Sequence, residues 1–342
     1  MTQHAIEITT RDGRRVSFTC PEDQSLLAAA EAAGIALPAL CREGGCGACL
    51  ATCTGGDYRL GEHNPAALPA ASGATLLCRT YPRSSMTLTA PYDYARIRFQ
   101  ALSPRPAQIV ALERVAHRTR RLLLHLPPED GGSLAAEFEP GQCMALAVPG
   151  RGLSRPYSLA NAPNFEGELE FLIRLQPGGR FSAYLEQDAR PGQYLEVVGP
   201  SGSFGLDGRS PRPRCFVAGG TGLSPFLSML RRAAEWGEDH PTRLYFGVNR
   251  EEELFLIAEL ERLGRCLPGL KVTLCVAQPG AAWDGFRGTA VAALRADLAR
   301  GMPAMDLYLC GPPGMVEAAT AVAGEFGIPP ERLISERFVA SA

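Results

Sequence analysis

The chain has 342 residues, more than a typical single domain contains, which indicates two or three domains. Hydrophobic residues make up 46% and charged residues 20%, as in ordinary globular proteins. Thirty-four basic and 36 acidic residues give a net charge of −2, so no basic excess is available for binding a phosphate backbone. We therefore expect no nucleic-acid partner.

Neither a secretion signal nor a membrane span is predicted. The first residues, MTQHAIEITTRDG, are polar and lack the apolar core of a signal peptide. The uncharged run from Cys215 to Leu230 is too short to cross a bilayer, and glycines and a proline interrupt it. We expect a cytoplasmic chain with no membrane contact. Its eleven cysteines are then more compatible with thiols or metal ligands than with disulfides.

Four cysteines have the spacing of a 2Fe-2S ferredoxin. The segment CREGGCGAC contains Cys-x4-Cys-x2-Cys, and a fourth cysteine follows 28 residues later in LLCRTYP, which is the plant-type pattern. The loop is rich in glycine, so many backbone N–H groups can approach a negatively charged cluster with little side-chain bulk. The predicted cluster ligands are Cys41, Cys46, Cys49 and Cys78.

Zinc is the main alternative for these cysteines. Zinc sites usually combine two pairs of closely spaced ligands, whereas Cys78 has no such neighbour in the sequence. Cys20 and Cys53 lie outside the spacing and are predicted to be ordinary buried thiols.

The segments around the cysteine loop predict a β-grasp ferredoxin domain over residues 1–95. AIEITT and RRVSFTC flank an Asp-Gly pair and predict a hairpin with a two-residue turn. SLLAAAEAAG predicts a helix that Ser25 caps and Gly34 ends. We expect the chain to separate into two halves near residues 95–105.

Residues 104–208 predict an antiparallel β-barrel, because six short alternating segments recur between turns. Two motifs in this region carry groups that bind anions. RPYS, residues 155–158, places a guanidinium, a ring and a hydroxyl on one strand, and PGGRFS, residues 177–182, predicts a glycine turn that opens a short helix. Alone, RPYS is equally compatible with a strand that has one surface arginine. The six segments are QIVALERV, RLLLHL, QCMALAV, PYSLAN, ELEFLIRL and YLEVVG.

Residues 212–342 alternate strands with helices, which predicts a doubly wound parallel sheet. CFVAGGTGLSPFLSML is a buried strand, a glycine turn and an apolar helix, where a nucleotide pyrophosphate meets a helix N-terminus. Pro225 stands where the last glycine of G-x-G-x-x-G would be, so a standard Rossmann dehydrogenase is disfavoured. The other predicted elements are the strands RLYFGV, KVTLCVA and DLYLC and the helices EEELFLIAELERL, AVAALRADLA and GMVEAATAVAGEF. The chain as a whole is predicted to combine α+β and α/β domains.

RPYS, GGTGLSP and CGPPGM, downstream of four cluster cysteines, resemble the iron-sulfur flavoprotein reductases, in which a ferredoxin domain is fused to FAD and NAD domains. Further segments are most similar to the reductase components of soluble methane monooxygenase-type bacterial diiron monooxygenases. Reductases of benzoate-type ring-hydroxylating dioxygenases share this plan and remain an alternative. The segments are CREGGC, GDY, LLCRTYP, FEPGQ, LEFLIR, GRFS and GVNREEELF.

The resemblance implies which residues hold FAD. Arg155, Tyr157 and Ser158 of the RPYS motif would hold the flavin and its phosphates. Gly179 and Ser182 of the glycine turn would supply donors to the pyrophosphate. The backbone of Ile173 and Arg174 would pass the edge of the flavin ring.

The resemblance also implies the NADH site. The pyrophosphate would bind at Gly220, Thr221 and Gly222, and the nicotinamide would border on Cys310, Gly311 and Pro312. Phe338 would be the aromatic residue near the flavin, although it also fits a core residue of a last strand. The residues expected at the hydride-transfer site are Ser158, Cys310 and Phe338.

These cofactors imply an NADH-dependent electron-transfer enzyme. NADH releases two electrons together as hydride, whereas a 2Fe-2S cluster accepts one at a time, and FAD links the two. The electrons would pass to a diiron hydroxylase, and the chain itself is expected to be a monomer. Because the cluster must lie near the surface for transfer, we expect this partner to dock at Arg42, Glu43 and Gly44.

Two other classes of function fit less well. A self-contained oxygenase would need paired Glu-x-x-His motifs or a haem ligand, and the five histidines are scattered. A pure electron-carrier ferredoxin with an inactive reductase half would not need intact RPYS, GGTG and CGPPG motifs.

The choice of nucleotide is expected to depend on GVNREE, at the position where the adenosine ribose is recognised. Glu251 or Glu252 would accept hydrogen bonds from ribose hydroxyls and repel a phosphate, whereas Arg250 would attract one. The resemblance favours NADH over NADPH.

Overall fold

The computed structural model describes residues 2–68, 72–100, 102–128 and 135–339 and divides the chain into two compact units. The first runs up to Pro104 and includes Val198–Ser203, and the second contains Arg105–Val197 and the chain from Phe204 onward. The domain limits inferred from the sequence stay predictions, and their outermost residues, as well as residue 101 of the expected break, lie outside the described part. None of the helices described is long and apolar enough to cross a membrane.

The first unit is built on a five-stranded mixed sheet with one helix. Its elements are β1 (Gln3–Thr9), β2 (Arg15–Pro21), α1 (Leu26–Ala32), β3 (Leu50–Gly55), β4 (Tyr58–Leu60), β5 (Ala74–Leu76), β6 (Thr80–Pro82) and β7 (Met86–Thr89). The strand order is β2-β1-β7-β3-β5, and β4 and β6 form a separate pair. β1 and β7 run parallel, with Ile6 opposite Met86. This arrangement is the predicted β-grasp plan.

The hairpin and the helix predicted at the start of this unit are confirmed, with one difference. Thr10 N donates to Arg14 O at 2.8 Å, so three residues rather than two form the turn, and Gly13 takes the left-handed conformation that it requires. Ser25 caps α1, because its hydroxyl oxygen accepts a hydrogen bond of 3.3 Å from a first-turn N–H. Gly34 follows the helix with φ of 75°.

The predicted antiparallel barrel is confirmed in the second unit. Its elements are β8 (Arg105–Ala116), β9 (Thr119–His125), β10 (Cys143–Val148), β11 (Leu153–Ser158), β12 (Glu168–Arg174), α2 (Arg180–Gln187) and β13 (Tyr194–Ser201), of which β13 belongs to this unit only as far as Val197. The order is β11-β10-β13-β8-β9-β12. β11 ends at Ser158 rather than running through PYSLAN, and the bridge from Leu159 to Phe171 brings the two edge strands together.

The rest of the second unit is the predicted doubly wound parallel sheet. Its elements are β14 (Arg214–Gly219), α3 (Leu223–Trp236), β15 (Thr242–Val248), α4 (Ile257–Cys266), β16 (Leu270–Val276), β17 (Phe286–Arg287), α5 (Ala290–Ala299), β18 (Asp306–Gly311), α6 (Pro313–Glu325) and β19 (Leu333–Arg337). The order is β17-β16-β15-β14-β18-β19, with parallel pairing throughout. Separate apolar cores form with α3 and α4 and with α5 and α6, so helices cover both faces.

One helix prediction is wrong in its start. EEELFLIAELERL was expected to be helical throughout, but residues 251–253 form a 3-10 turn and α4 begins only at Ile257. The buried Glu253 carboxylate accepts from Asn249 N at 3.0 Å, which closes the turn, and Phe255 is buried in the core. These contacts outweigh the helical propensity of the segment. The edge strand β17 was not predicted, and a strand near β19 was considered only as the alternative role of Phe338.

A network of four charged side chains connects the barrel to the nucleotide domain. Arg231 of α3 donates to Glu170 of β12 at 2.8 Å and to Glu259 of α4 at 2.7 Å, and Arg121 of β9 also binds Glu170 at 2.9 Å. The side chains of Glu170 and Arg231 are only 7% and 13% exposed. Removing one partner from such a buried pair costs about 3–5 kcal/mol, so the network fixes the barrel against α3.

Candidate functional site

The four predicted ligand cysteines lie together as two close pairs. Cys49 Sγ is 3.3 Å from Cys78 Sγ, and Cys41 and Cys46 share a hydrogen bond between their side chains. Cys53, by contrast, donates to Gly55 O at 3.4 Å and is half-buried, so it is less enclosed than expected. Cys20 is buried, as predicted.

Backbone N–H groups surround these sulfurs. Gly45 N lies 3.3 Å from Cys41 Sγ, Ala48 N lies 3.5 Å from Cys46 Sγ, and a Gly44 backbone hydrogen bond reaches Cys78. Because a paired cysteine and these N–H groups donate to them, the pKa values of Cys41 and Cys78 fall below that of an ordinary thiol. The pKa values of Cys46 and Cys49 are raised instead, because each donates to its paired cysteine and is buried. One thiolate in each pair is therefore favoured, and the thiolate is the form that binds metal.

The arrangement fits a cluster with two irons, since each close pair of sulfurs can serve one iron. A single zinc needs three or four ligands around one point. Within the described ranges, no three His, Cys, Asp or Glu side chains converge in that way.

Gly44 lies at the tightest point of this loop. A Cβ on it would stand 2.9 Å from both Arg79 Cγ and His63 Cβ, and its φ is 73°, so only glycine fits without strain. Gly44 is buried, whereas Arg42 and Glu43 are exposed. The docking rim stays a prediction, and within it Arg42 and Glu43 are accessible whereas Gly44 lies beneath Arg79 and His63.

The predicted FAD residues of the barrel come together around the start of α2. The Tyr157 ring is 5.3 Å from the ring of Phe181, which joins β11 to that helix. Gly179 is the residue before α2, as expected for a turn that opens a short helix, and Ser182 Oγ accepts from Gln176 N at 2.8 Å. Arg155 is half-exposed on the same strand as Tyr157. The arrangement presents a guanidinium, a ring and a helix N-terminus, which suit a phosphate-bearing flavin.

Ile173 and Arg174 lie side by side at the end of β12, but their side chains have different surroundings. Ile173 is fully buried in the barrel core. Arg174 Nη2 donates to Glu253 at 3.0 Å, and a Cβ on Gly220 would lie 3.7 Å from Nη1. The barrel thus brings a cation to the glycine turn of the nucleotide domain, in addition to the backbone edge that the resemblance implied.

The glycine turn after β14 is closely packed against the CGPP segment. A Cβ on Gly222 would stand 2.1 Å from Cys310 O, and one on Gly311 would stand 3.1 Å from the Gly219 backbone. Gly220 has φ of 54°, and Thr221 is buried with its carbonyl bonded to Ser224 Oγ at 2.8 Å. The turn leads directly into α3, so its backbone N–H groups face the position expected for a pyrophosphate.

Residues from the barrel and from the nucleotide sheet meet at one buried cluster. Ser158 Oγ donates to Glu336 Oε2 at 3.0 Å, and Cys310 Sγ lies 3.9 Å from the same oxygen. Phe338 N donates to Gly311 O at 2.9 Å, so the chain after β19 is held beside the CGPP segment, with Pro312 as the residue before α6. The three residues expected at hydride transfer are thus brought together, and Phe338 lies just beyond the last strand rather than in it.

Glu336 was missed at the sequence level. It is 5% exposed, and burial raises the pKa of its carboxyl group to about 7. Burial and the neighbouring Glu336 carboxylate raise the pKa of the Cys310 thiol, which favours its neutral form. The signal that could have revealed Glu336 is the alternation of LISER next to Phe338, which would point this acidic residue inward on a strand.

The residues predicted to read the ribose are divided between two roles. Glu251 Oε1 accepts from Gly280 N at 2.7 Å, so this carboxylate anchors the neighbouring loop. Glu252 and Arg250 are exposed. Glu252 and Arg250 therefore remain available to a nucleotide.

Comparison with known proteins agrees with this geometry. Three family models match in chain order: the 2Fe-2S iron-sulfur cluster binding domain over residues 9–83, the oxidoreductase FAD-binding domain over 106–205, and the oxidoreductase NAD-binding domain over 216–321. Among solved structures, a cytochrome P450 reductase from Amycolatopsis is 29% identical with a TM-score of 0.75, covering 98% of this chain and 99% of its own. The ferredoxin reductase of carbazole 1,9a-dioxygenase is 26% identical with a TM-score of 0.71, covering 99% and 100%.

Curated relatives span most of the chain. Methane monooxygenase component C of Methylosinus trichosporium is 40% identical, covering 86% of this chain and 87% of its own length. The ferredoxin–NAD(+) reductase component of the alkene monooxygenase system of Xanthobacter autotrophicus is 36% identical, covering 96% and 99%. The toluate 1,2-dioxygenase electron transfer component of Pseudomonas putida is 33% identical, covering 99% of each. The chain belongs to the ferredoxin-fused, FAD- and NAD-binding reductase components of bacterial multicomponent oxygenases, and among them it is of the methane monooxygenase type.

Proposed function

We propose that this reductase takes hydride from NADH and delivers electrons, through FAD and the 2Fe-2S cluster, to the diiron hydroxylase of a soluble methane or alkane monooxygenase-type system. The observation that carries the proposal is the meeting of Ser158, Cys310 and Glu336. One of these residues comes from the FAD barrel and two come from the NAD sheet, so a nicotinamide bound at the CGPP segment would lie next to a flavin bound along β11. FAD, when bound, supplies the exchange between paired and single electrons.

The residues of the chain have separate tasks in this scheme. Arg155, Tyr157 and Ser158 hold and orient the flavin, and Gly179 and Ser182 bind its pyrophosphate. Ser158 and Cys310 enclose the hydride path and exclude water, while Glu336 holds the Ser158 hydroxyl at a fixed position.

The NADH side has its own set of residues. Its pyrophosphate binds at the turn of Gly220, Thr221 and Gly222, and the Arg174 guanidinium beside that turn complements the negative charge. Gly311 and Pro312 would border the nicotinamide, and Phe338 would cover the flavin.

The partner is the finer part of the proposal. Monooxygenase components among the relatives support an oxygenase partner, and the similarity to methane monooxygenase component C favours a diiron hydroxylase over a ring-hydroxylating dioxygenase. A monomer in the cytoplasm meets the needs of this role, because the partner must reach the ferredoxin unit for each transfer.

Spectra and turnover test the proposal. The purified protein should show flavin and iron-sulfur absorption together, and NADH should bleach both under anaerobic conditions. It should then support NADH-driven hydroxylation by the hydroxylase of a soluble methane monooxygenase-type system. Turnover with a benzoate-type dioxygenase but not with the diiron hydroxylase would refute the proposed partner, and a flavin that NADH does not bleach would refute the proposed reaction.

A further inference from the structure

Arg79 follows a cluster ligand directly and is fixed against the cysteine loop. Its backbone donates to Leu76 O and accepts from Gly61 N, each at 2.7 Å. Its side chain passes Gly44, where Arg79 Cγ would be 2.9 Å from an added Cβ, and a Gly44 backbone hydrogen bond reaches Cys78. The Arg79 stem therefore packs on the peptide that contacts a ligand sulfur.

The head of this side chain carries an unused donor. Arg79 Nε is buried and has no hydrogen-bond partner among the residues that the structure describes. Buried N–H groups without a partner are rare in folded proteins, and such a group calls for a ligand, ion or water that completes it. Here the neighbouring site is one that binds an anionic group.

The charge of Arg79 is also uncompensated. Within the described ranges, no carboxylate oxygen lies within 4.0 Å of its guanidinium. Arg42, which follows the ligand Cys41 in the same way, differs because Glu31 binds it at 2.6 Å. The chain thus has two arginines next to ligand cysteines, of which one is neutralised and the other retains its full positive charge.

We propose that Arg79 tunes the 2Fe-2S cluster, with its buried Nε–H donating to the cluster and its positive charge stabilising the reduced form. Reduction adds one negative charge to the cluster, so a fixed cation nearby raises the reduction potential. At an effective dielectric constant of about 20, a unit charge within about 10 Å changes the equilibrium constant for reduction of the cluster by about tenfold. This inference rests on the proposed function, because it assigns a residue to the same cluster.

The test is the reduction potential of the cluster in the full chain, measured by dithionite titration with mediators and the electron paramagnetic resonance signal of the reduced cluster. We expect Arg79→Gln to lower the equilibrium constant for reduction about tenfold, or about 59 mV for one electron. Arg79→Lys keeps the charge and loses the Nε–H, so its reduction potential should lie between those of the unaltered chain and Arg79→Gln. Arg42→Gln is the matched control and should shift the potential by less than half as much.

An unchanged potential in Arg79→Gln would overturn the proposal, as would an equal shift in Arg42→Gln. Should the glutamine variant lose iron and labile sulfide, Arg79→Lys decides: a potential below that of the unaltered chain supports the proposal, and an unchanged one overturns it. Because dithionite replaces NADH, these results do not depend on the flavin. Absence of any cluster from the unaltered chain would instead refute the proposed function.

Discussion

Ser158 Oγ donates a hydrogen bond of 3.0 Å to Glu336 Oε2, although 178 positions separate the two residues in the chain. The contact joins the last residue of a barrel strand to the last strand of the nucleotide sheet. Since both residues are buried, the carboxylate is held in an apolar environment with few partners. The position of the Ser158 hydroxyl is thus set by a residue from the other domain.

Burial raises the pKa of Glu336 from 4.5 to about 7, and this predicts a pH-dependent cost in stability. The folded carboxyl holds its proton more tightly than the unfolded one, so the cost is absent below about pH 4.5, grows up to about pH 7 and stays constant above. Glu336→Gln should therefore stabilise the protein relative to wild type more at about pH 8 than at about pH 5, by up to about 3 kcal/mol. Thermal unfolding across pH measures this difference. Exposed Glu331→Gln serves as control, and parallel curves for Glu336→Gln and wild type would contradict the prediction.

Serine replacement tests the cluster ligands one at a time. Each variant should lack iron, labile sulfide and the cluster spectrum, because a hydroxyl replaces a thiolate ligand. The positions replaced are Cys41, Cys46, Cys49 and Cys78. NADH-dependent reduction of a flavin-directed dye should survive. Cys53→Ser should keep the cluster, since the Cys53 side chain is bonded to Gly55 O instead. An intact cluster in Cys78→Ser would contradict the assignment of Cys78 as a cluster ligand.

The exposed residues after β15 predict the nucleotide preference. Wild type should have a larger kcat/KM with NADH than with NADPH, because Glu252 repels a 2′-phosphate. Arg250→Ala should reduce kcat/KM for NADPH about tenfold, the usual worth of one charge-assisted hydrogen bond, and leave that for NADH nearly unchanged. Arg265→Ala, at an exposed position of α4, is the control. Equal losses with both nucleotides would show that Arg250 does not read the ribose.

Two alanine substitutions distinguish a close backbone approach from an open position. Gly222→Ala places a Cβ 2.1 Å from Cys310 O, so the turn after β14 must move away from the end of β18, at a cost of about 3 kcal/mol or more. Gly264→Ala, in α4, meets nothing within 4 Å and should stabilise by up to about 1 kcal/mol. Chemical unfolding measures both changes, and NADH oxidation should fall only in the first. Similar stabilities for the two variants would refute the close approach.

The exposed part of the docking rim can be tested in the full chain. Arg42→Glu should raise the KM for the diiron hydroxylase several-fold, because reversal of a charge at an interface rim mainly slows association. Dye reduction should not change. Arg15→Glu, on the first hairpin, makes the same change in net charge and should leave this KM unaltered. If the two variants behave alike, docking lies elsewhere.

Local motifs allowed most of the fold and part of the site to be predicted. The cysteine spacing, RPYS and GGTG are contiguous, and each combines residues whose chemistry is recognisable without knowledge of distant partners. The barrel and the parallel sheet followed from alternation and from the order of strands and helices. The family models matched these three regions in the same order.

The missed residues depend on contacts between distant segments. Glu336 becomes important only because β19 joins the sheet beside β18, opposite Ser158. Arg79 looks like an ordinary surface arginine until its neighbours show an unpaired Nε. Glu253 delays the start of a predicted helix, because its side chain turns inward to Arg174 and Asn249. Gly44 was expected at the surface, and its burial was missed because it comes in part from Arg79, which lies beyond the loop in the sequence.

The parallel pairing of β1 with β7 has a consequence for biosynthesis. Ile6 finds its partner Met86 only after 80 further residues have been made, so a nascent chain that stops before β7 lacks the strand between β1 and β3. The 253 residues that follow β7 in the sequence take roughly 10–50 s to synthesise at typical rates of translation. The five-stranded sheet of the first unit can therefore form around the cysteine loop while the ribosome is still producing the FAD and NAD domains.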